Sequence, residues 1–381
     1  MQFVIKKNEL LTGLQQIVRV IPSRTTKPIL YGVKIDAEFN RIRMTAYDLE
    51  IGLEILIENK DQEQVEVLQV EEPGSIVINA KFLLEIIRKL PQQLVRFNLK
   101  NHIATIQSGA AIYTLNGLDS REFPLLPQVD DDEKLTMAST LLLQSIQKTV
   151  YAVATIESRP TLTGVHFKLK NDILTLTGTD SHRLSNLKIS VDTLKEYSFE
   201  EAIMPGKTLQ ELIRILPASE EMVEITLADH QMLIRYDNIH FYSRLIEGTY
   251  PDISRIIPET FRTSIKIGTK NLIESIERAA LLARENDNHV IRLHLRPNQT
   301  EITSTSQELG KISEVIEPQT FQGEELMLAC NARFMLESLK TIDTEDVSIQ
   351  FTGPGSAFII TPVESDTNHL QLILPVRLNH A

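Results

Sequence analysis

Residues 80–90 read AKFLLEIIRKL, and the spacing of their apolar side chains predicts one amphipathic helix. The residues assigned to the apolar face are Phe82, Leu83, Ile86, Ile87 and Leu90. The polar face carries a basic, an acidic and a second basic residue in that order, namely Lys81, Glu85 and Arg88. This segment is therefore expected to bury one face and to present alternating charge on the other.

The same order of charges returns twice along the chain at a fixed interval. It recurs at Lys207, Glu211 and Arg214, and again at Arg333, Glu337 and Lys340. The steps from 81 to 207 and from 207 to 333 are both 126 residues. Because this interval is longer than the period of a solenoid repeat, each copy is predicted to be a whole domain.

Other landmarks repeat with nearly the same spacing. A second amphipathic stretch opens each copy: NELLTGLQQIVRVI from 8, STLLLQSIQKTVYAV from 139 and TKNLIESIERAALLA from 269. FPLLP from Phe123 resembles YPDISRIIP from Tyr250, and Asp48 and Asp180 each follow an alternating β-pattern. Short β-patterns fill the rest of each copy. We therefore predict an α+β fold of three repeated domains, 1–126, 127–250 and 251–381, each with helices packed on one face of an antiparallel sheet.

The composition limits the class of protein. The chain has 381 residues, of which 42% are hydrophobic and 24% are charged, as expected of a core-forming protein. No run of 18 apolar residues predicts a membrane span, and the opening residues lack the order of a secretion signal, so we expect a cytoplasmic protein without membrane partners. The single cysteine, Cys330, excludes an internal disulfide and a cysteine-based metal cluster. No metal or cofactor is predicted.

The repeated basic residues have two interpretations. An exposed pair of opposite charges on a helix contributes about 0.2–0.5 kcal/mol and needs no partner, which is the favoured interpretation for one helix alone. Here three helices keep a net positive face in a chain whose net charge is −12, and the opening stretch of the second copy adds Lys148 without an acidic neighbour. Basic faces gathered on one side suit a phosphate backbone and carry no information about base sequence.

Four segments resemble one known family in order and spacing. They are GTDSHRLS at 178–185, YPDISRIIP at 250–258, CNARFMLESL at 330–339 and LILPVRL at 372–378. Together with the three-domain plan, they resemble the bacterial β sliding clamps, the processivity subunits of DNA polymerase III. The resemblance implies a head-to-tail homodimeric ring of six domains, with helices inside and antiparallel sheets outside. Such a ring encircles duplex DNA independently of its sequence and has no catalysis of its own.

The resemblance also implies partners and their site. The replicative DNA polymerase, the clamp loader and other proteins with a clamp-binding motif would dock a short peptide in an apolar pocket between the second and third domains. The matching positions are Leu162, Thr179, His182, Arg183, Leu184, Pro251, Arg255, Ile256, Asn331, Phe334, Leu372, Leu374, Pro375, Val376, Arg377 and Leu378. Taken alone, Leu184, Ile256 and Leu372 have the pattern of ordinary core residues, and a structural role for His182 is favoured over an acid–base pair with Asp180.

The DNA contacts and the dimer seam follow in the same way. The resemblance implies Arg24 and Lys207 as DNA-binding residues, the internal repeat adds Lys81 and Arg333, and Lys148 completes the set. The seam would pair an edge strand around Tyr113 and Leu115 of one copy with Leu281 and Leu282 of the other. Alternating apolar residues in AIYTL suit an edge strand that must be covered.

An enzyme and an acidic scaffold are the two alternatives to a clamp. An enzyme is disfavoured, because the sequence lacks a glycine-rich phosphate loop with lysine, metal-ligand spacing and a G-x-S-x-G motif, and TGPGS at 352–356 has the pattern of a turn. An acidic scaffold of repeated domains would not require basic faces in all three copies. The sequence therefore favours a clamp, an accessory factor without chemistry of its own.

Overall fold

The structure is a computed structural model that describes residues 1–60, 66–127, 129, 133–156, 158–192, 198–228, 230–283, 289–365 and 367–377. Leu378, one of the predicted pocket residues, lies outside these residues. The first third contains β1 (Gln2–Lys6), α1 (Lys7–Ile17), β2 (Gly32–Glu38), β3 (Arg41–Tyr47), β4 (Ile51–Glu58), β5 (Leu68–Glu72), β6 (Gly74–Asn79), α2 (Ala80–Lys89), β7 (Leu94–Lys100), β8 (Ile103–Ser108) and β9 (Ala111–Asn116).

The other two thirds repeat this order of elements, except that four rather than five described strands separate the two helices of the middle third. The middle third contains β10 (Leu135–Ala138), α3 (Ser139–Val150), β11 (Gly164–Lys170), β12 (Ile173–Thr179), β13 (Arg183–Ser190), β14 (Phe199–Pro205), α4 (Gly206–Ile215), β15 (Met222–Ala228), β16 (Gln231–Tyr236) and β17 (Ile239–Arg244). The last third contains β18 (Thr263–Gly268), α5 (Thr269–Ala283), β19 (Val290–Arg296), β20 (Gln299–Ser306), β21 (Gly310–Ile316), β22 (Thr320–Gly323), β23 (Leu326–Asn331), α6 (Ala332–Leu339), β24 (Asp346–Phe351), β25 (Phe358–Pro362) and β26 (Asn368–Ile373). The predicted α+β fold with a threefold repeat is confirmed.

The described strands form four antiparallel sheets in two compact units. One unit comprises Met1–Leu142 and Lys207–Leu245, and it contains a five-stranded sheet, β5-β1-β7-β8-β9, and an eight-stranded sheet, β10-β15-β16-β17-β4-β3-β2-β6. The other comprises Leu143–Gly206 and Ile246–Ala381, with a nine-stranded sheet, β14-β11-β12-β13-β26-β25-β24-β18-β22, and a four-stranded sheet, β21-β20-β19-β23.

These units cut across the predicted thirds, because two sheets continue from one third into the next. In the first unit β17 pairs with β4, and we call this contact the first joint. In the second unit β26 pairs with β13, and we call this contact the second joint. The backbone hydrogen bonds of a sheet thus connect consecutive thirds of the chain.

One form of turn precedes both β4 and β13. The Asp48 carboxylate accepts hydrogen bonds from the backbone N–H groups of Glu50 at 2.9 Å and Ile51 at 2.6 Å. Asp180 accepts the equivalent bonds from His182 at 2.9 Å and Arg183 at 3.0 Å. The residue after each aspartate is left-handed, with φ of 82° at 49 and 77° at 181. An aspartate suits this turn because its side chain replaces a backbone acceptor.

Helix α2 buries a slightly different face from the one predicted for residues 80–90. Leu83, Leu84 and Ile87 are buried in α2, whereas Phe82 is 68% exposed. At 3.6 residues per turn, Phe82 points about 150° away from the centre of the buried face. Its assignment to the apolar face was wrong, because Leu84 occupies the position that completes the i, i+3, i+4 pattern.

Candidate functional site

The repeated basic residue occupies the same place in three helices. Lys81, Lys207 and Arg333 are each the second residue of their helix, α2, α4 and α6, and all three are exposed. A cation at the start of a helix opposes the helix dipole, an unfavourable contact of about 0.3–1 kcal/mol. The stability of the individual helix therefore does not explain why a basic residue recurs at this position.

In the first two copies the other two charges neutralise each other. Arg88 lies 3.1 Å from Glu85, and Arg214 lies 2.6 Å from Glu211. Within the described residues, neither Lys81 nor Lys207 has an ion pair. Each of these helices therefore presents one uncompensated positive charge at its N-terminal end.

The charged residues of the third copy have different ion-pair partners. Arg333 Nε lies 2.7 Å from Glu337 Oε1, and the other oxygen of Glu337 accepts a hydrogen bond from the buried Arg183. Lys340 pairs instead with Glu277 of α5, with 2.6 Å between Nζ and Oε1. In α6, unlike α2 and α4, the acidic residue thus bonds both an exposed and a buried arginine.

Two further predicted DNA contacts differ in exposure. Arg24 is exposed in the segment between α1 and β2. Lys148 is only 17% exposed, and its Nζ lies 3.0 Å from Asp343 Oδ2. This pairing does not favour Lys148 as a contact to an external phosphate, since its charge is already compensated.

The predicted peptide pocket centres on the second joint. Leu184, Ile359 and Leu372 form a buried cluster across β13, β26 and β25. A second buried cluster contains Leu162, Ile203 and Tyr250, and Ile253 packs against both clusters. The structure thus brings Leu162, Leu184 and Leu372 to a single apolar region.

Sequence reasoning missed Ile253, Phe261 and Ile359 as parts of this region. Ile253 lies within YPDISRIIP, and Ile359 lies in β25 between Phe358 and Ile360, which belong to a different buried cluster. Two residues that were predicted, Ile256 and Leu374, are large apolar side chains left exposed. Exposed apolar side chains beside a buried apolar cluster are the usual components of a docking site.

Two predicted pocket residues, Thr179 and Arg183, are buried and hold neighbouring groups in place. Thr179 is buried and donates a hydrogen bond of 2.6 Å to the carbonyl of Arg183. The Arg183 guanidinium bonds Asp180 at 3.0 Å and the carbonyl of Tyr151 at 2.6 Å, and it lies 4.5 Å from the centre of the Phe334 ring. Arg183 is therefore a positioning residue held from several sides.

Asn331 and His182 also have structural explanations. The Asn331 side chain caps α6 by accepting hydrogen bonds from the N–H groups of Arg333 at 2.9 Å and Phe334 at 3.2 Å. The Asp180 carboxylate bonds the backbone of residues 182 and 183 and the Arg183 side chain, while His182 is exposed. Since its carboxylate is committed to the turn, Asp180 does not serve as the partner of a catalytic imidazole.

The chain after β26 is held in place. The N–H of Leu374 donates to the carbonyl of His182 at 2.9 Å, and the N–H of Val376 donates to the carbonyl of Ala329 at 2.8 Å. Pro375 and Val376 are half-buried, and Arg377 is exposed. Pro251 and Arg255 are exposed in the segment between β17 and β18, where Arg255 lies 3.5 Å from Asp252.

A buried polar layer lies beneath the second joint. Tyr151 donates to Gln371 Oε1 at 2.7 Å, and Ser185 donates to the carbonyl of Lys148 at 2.6 Å. Since the single proton of the Ser185 hydroxyl is used, His369 Nε2 carries the proton of its 2.9 Å contact with Ser185. Burial and the charge of Lys148 lower the pKa of His369 to about 4, so it is neutral at pH 7.

The predicted seam residues lie at two sheet edges. Tyr113 and Leu115 belong to β9, the outer strand of the five-stranded sheet, and Tyr113 is exposed. Leu281 of α5 is 59% exposed and Leu282 is half-buried. Helix α5 packs against β21, the outer strand of the four-stranded sheet. Each pair thus accompanies an unpaired strand edge in its own unit.

Other kinds of site find no support in the described part of the chain. No three His, Cys, Asp or Glu side chains there are grouped as a metal site would require. None of the helices described is both long and apolar enough to cross a membrane. Cys330 is buried, which raises the pKa of its thiol to about 12 and leaves it protonated.

Comparison with known proteins covers nearly the whole chain. The N-terminal, central and C-terminal domains of the DNA polymerase III beta subunit family match residues 1–127, 136–252 and 254–377. The "Beta sliding clamp" of Bacillus subtilis is 40% identical over 380 residues, which span 99% of this chain and 100% of that protein. The clamp of Halalkalibacterium halodurans is 39% identical over 382 residues, with the same coverage.

Solved structures agree with these sequence matches. The crystal structure of the Bacillus subtilis DNA polymerase sliding clamp matches with a TM-score of 0.96 and 39% identity over 99% of each chain. The DNA polymerase III beta chain of Streptococcus pneumoniae matches with a TM-score of 0.95 and 34% identity, covering 99% of this chain and 100% of that one.

The link from Glu337 to Arg183 generates a stability prediction. Replacing Glu337 by alanine leaves a buried guanidinium without one of its carboxylates, so we expect a loss of about 2 kcal/mol of unfolding free energy. Glu211→Ala is the matched control, since Glu211 holds the repeat position in α4 but pairs only with the exposed Arg214, and it should cost less than about 1 kcal/mol. Calorimetric melting of both variants checks this, and equal losses would contradict the buried bridge.

A pH dependence follows from His369. Its pKa in the folded protein lies below the ordinary value of 6.5, so the stability it contributes is complete above pH 6.5 and is lost as pH falls toward 4. The full difference is about 3 kcal/mol of unfolding free energy. In urea titrations at several pH values, His369→Gln should flatten this decline, whereas the exposed control His182→Gln should retain it. The same decline in both variants would refute the assignment.

Proposed function

Since the chain belongs to the family of DNA polymerase III beta subunits, we propose that it works as a sliding clamp, a homodimer that encircles duplex DNA and tethers the replicative polymerase to its template. A member of this family is an accessory processivity factor, so the chain is not itself a catalyst. The proposal makes topology, rather than affinity, responsible for retention on DNA.

The strand pairing between consecutive thirds is the observation that supports this proposal. The strands β4, β13 and β21 are each the third strand after the first helix of their third, and β9, β17 and β26 are each the last strand of theirs. The chain pairs β4 with β17 and β13 with β26. This leaves β21 and β9, both of which are edge strands. Unpaired edges of this kind invite another strand.

A second copy supplies the missing pairs. If β9 of one protomer joins β21 of the other by the rule of the internal joints, the same contact forms twice by a two-fold axis, and six domains close into a ring. The exposed Tyr113 and Leu281 would be covered at these seams, with Leu115 and Leu282 beside them. A closed ring also removes the open sheet edges, which are a liability in solution.

The basic helix ends suit DNA inside such a ring. Lys81 and Lys207 would provide uncompensated charges, and the exposed Arg24 would add another. Arg333 would share its charge with Glu337. Duplex DNA carries one charge per about 1.7 Å of axis, so a few weak and similar contacts attract it without selecting a register. A ring that slides requires this weak attraction.

The apolar region at the second joint would hold a short linear peptide. Buried Leu184 and Leu372 provide the floor, and exposed Ile256 and Leu374 provide side chains that a ligand can cover. We assign to this pocket the polymerase, the clamp loader and other proteins that carry a clamp-binding motif. The chain would act in the cytoplasm, where DNA replication takes place in bacteria.

Retention on circular DNA tests the clamp. The protein, loaded by an ATP-driven loader on nicked circles, should remain bound and should leave when the circle is cut. Lys81→Glu with Lys207→Glu should lower loading and stimulation of DNA synthesis, and should reduce the salt slope of DNA affinity by up to about 0.9 for each phosphate that is no longer neutralised. Lys100→Glu with Lys188→Glu changes the net charge equally on exposed strand residues and serves as the control.

Retention that does not depend on whether the DNA is circular would exclude the clamp. Equal loss of activity in the two double variants would remove the assignment of Lys81 and Lys207, since it would reflect net charge alone.

The seam has a separate test. Leu281→Asp places a carboxylate on a surface that dimerisation would bury, so sedimentation should show dissociation at concentrations where the unchanged protein is dimeric. Phe39→Asp alters another exposed apolar residue, outside the proposed seam, and should leave the dimer intact. A dimer that survives Leu281→Asp unchanged would place the interface elsewhere.

A further inference from the structure

The first joint has the same construction as the second. Gly52 lies opposite Tyr242 in the first joint, as Leu184 lies opposite Leu372 in the second. Gly52 and Leu184 each follow by four residues the aspartate of the equivalent turns. The position of the apolar cluster in the second joint therefore has a defined counterpart in the first.

The next strand completes the correspondence. Leu233 pairs with Tyr242 as Ile359 pairs with Leu372. The counterpart of the cluster Leu184, Ile359 and Leu372 is thus Gly52, Leu233 and Tyr242. The first joint replaces two branched apolar side chains by a glycine and a phenol, which changes both the space and the chemistry at this place.

A cavity of about 470 Å³ lies at this counterpart. Leu233 and Tyr242 line it from the sheet, and residues 123–127, FPLLP, line it from the other side. This segment is the sequence counterpart of YPDISRIIP, whose Ile253 packs on the second joint. The volume lies in the range of about 300–1,000 Å³ that small ligands and side chains of peptides occupy.

Gly52 fixes the segment that covers the cavity. A Cβ at residue 52 would lie 2.5 Å from Leu126 Cδ2 and 3.2 Å from Tyr242 Cβ. Leu126 therefore packs directly on the backbone of β4 in the space that the glycine leaves. Its neighbour Leu125 is exposed and also lines the cavity, so the covering segment offers an apolar side chain at the opening.

The side chains that line the cavity from the sheet are mostly charged, and their carboxylates already bind neighbouring side chains. Asp36 lies 3.1 Å from Lys34 and accepts a hydrogen bond of 2.5 Å from Ser75. Burial alone would raise the pKa of Glu54, but the neighbouring His240, the charge of Arg43 and a hydrogen bond from Tyr242 lower it, so Glu54 is ionised at pH 7. Neither carboxylate is left to bind a cationic ligand.

Arg43 is the cation with unused donors. Its contacts with Glu38 and Glu54 are both 3.9 Å, beyond hydrogen-bond distance, and its guanidinium forms no hydrogen bond to any described residue. Arg43 is partly buried and lines the cavity. A guanidinium in this setting prefers a carboxylate, which it binds with two parallel hydrogen bonds.

Because the second joint is proposed above to bind a peptide, we infer that the cavity of the first joint is a second peptide site with a different preference. It takes a short segment of a partner protein in which a carboxylate precedes an apolar side chain. The carboxylate binds Arg43, and the apolar side chain packs on Leu125, Leu126 and Leu233. The pocket proposed at the second joint has buried Leu184 and Leu372 at its floor, whereas this cavity has Arg43 among its lining residues, so the two sites would select different partners.

Photo-cross-linking with the full dimer tests this inference. The probe is a blocked tetrapeptide, Asp-Asp-Leu-Leu, with a benzophenone at its C-terminal end, and the reference probe carries Lys-Lys in place of Asp-Asp. The acidic probe should attach to residues 123–127, as located by mass spectrometry of the digested protein. Arg43→Gln should reduce this product about tenfold, the effect of losing one charge-assisted hydrogen bond.

A matched variant separates this site from general charge effects. Arg41→Gln removes the same charge from the same strand, but Arg41 pairs with Glu38 at 2.8 Å and does not line the cavity, so labelling should be unchanged. Ile256→Asp alters the peptide pocket proposed at the second joint and should also leave labelling of residues 123–127 unchanged.

Three results would overturn the inference. They are attachment confined to residues 250–258 and 372–377, equal labelling by the acidic and basic probes, and equal effects of Arg41→Gln and Arg43→Gln. Retention of the Arg43→Gln protein on nicked circles is measured in parallel and should be normal. Failure of the peptide site thus leaves the clamp assay intact, whereas failure of the clamp proposal appears in that assay with the unchanged protein.

Discussion

Backbone hydrogen bonding between strands of consecutive thirds is the interaction on which the structure depends. The pairs β4–β17 and β13–β26 extend two sheets across the boundaries of the sequence repeat, so each third completes its neighbour. The side chains that lie across these pairs can vary, because the main chain supplies the bonds. Leu184 with Leu372 and Gly52 with Tyr242 illustrate this freedom at equivalent places. The same rule, applied once more between two copies of the chain, would pair β9 with β21, the two edge strands that have no partner from a neighbouring third.

The helices follow a different constraint, since their charged residues recur while their surroundings differ. A basic second residue in α2, α4 and α6 opposes the dipole of its own helix, so the repeat is not maintained for local stability. Within the described chain Lys81 and Lys207 stand unpaired, whereas Arg333 shares Glu337 with the buried Arg183. The third helix thereby connects an exposed cation to the wall of the apolar pocket, and its acidic residue has a structural use that Glu85 and Glu211 lack.

Much of the fold could be predicted from the sequence, because the interval of 126 residues, the paired helices and the turn aspartates Asp48 and Asp180 are local patterns. The exchange of strand pairing across the repeat boundaries could not, since one alternating β-pattern does not specify its neighbour. For the same reason the ion pair of Lys148 with Asp343 and the place of Arg183 behind the pocket were not foreseen. They join residues far apart in sequence. Ile253 could have been found, because it lies within a segment already singled out by its resemblance.

A repeated architecture lets one side of a protein stay uniform while the other side diverges. The basic residues of α2 and α4 keep one position and one charge. The two joints have the same strand register, yet one is filled by Leu184, Ile359 and Leu372 and the other leaves a cavity beside Arg43. Gly52 contributes to this difference, since a side chain at residue 52 would meet Leu126, which packs on the backbone of β4. Such divergence leaves the strand register intact, because the main chain supplies the hydrogen bonds that set it.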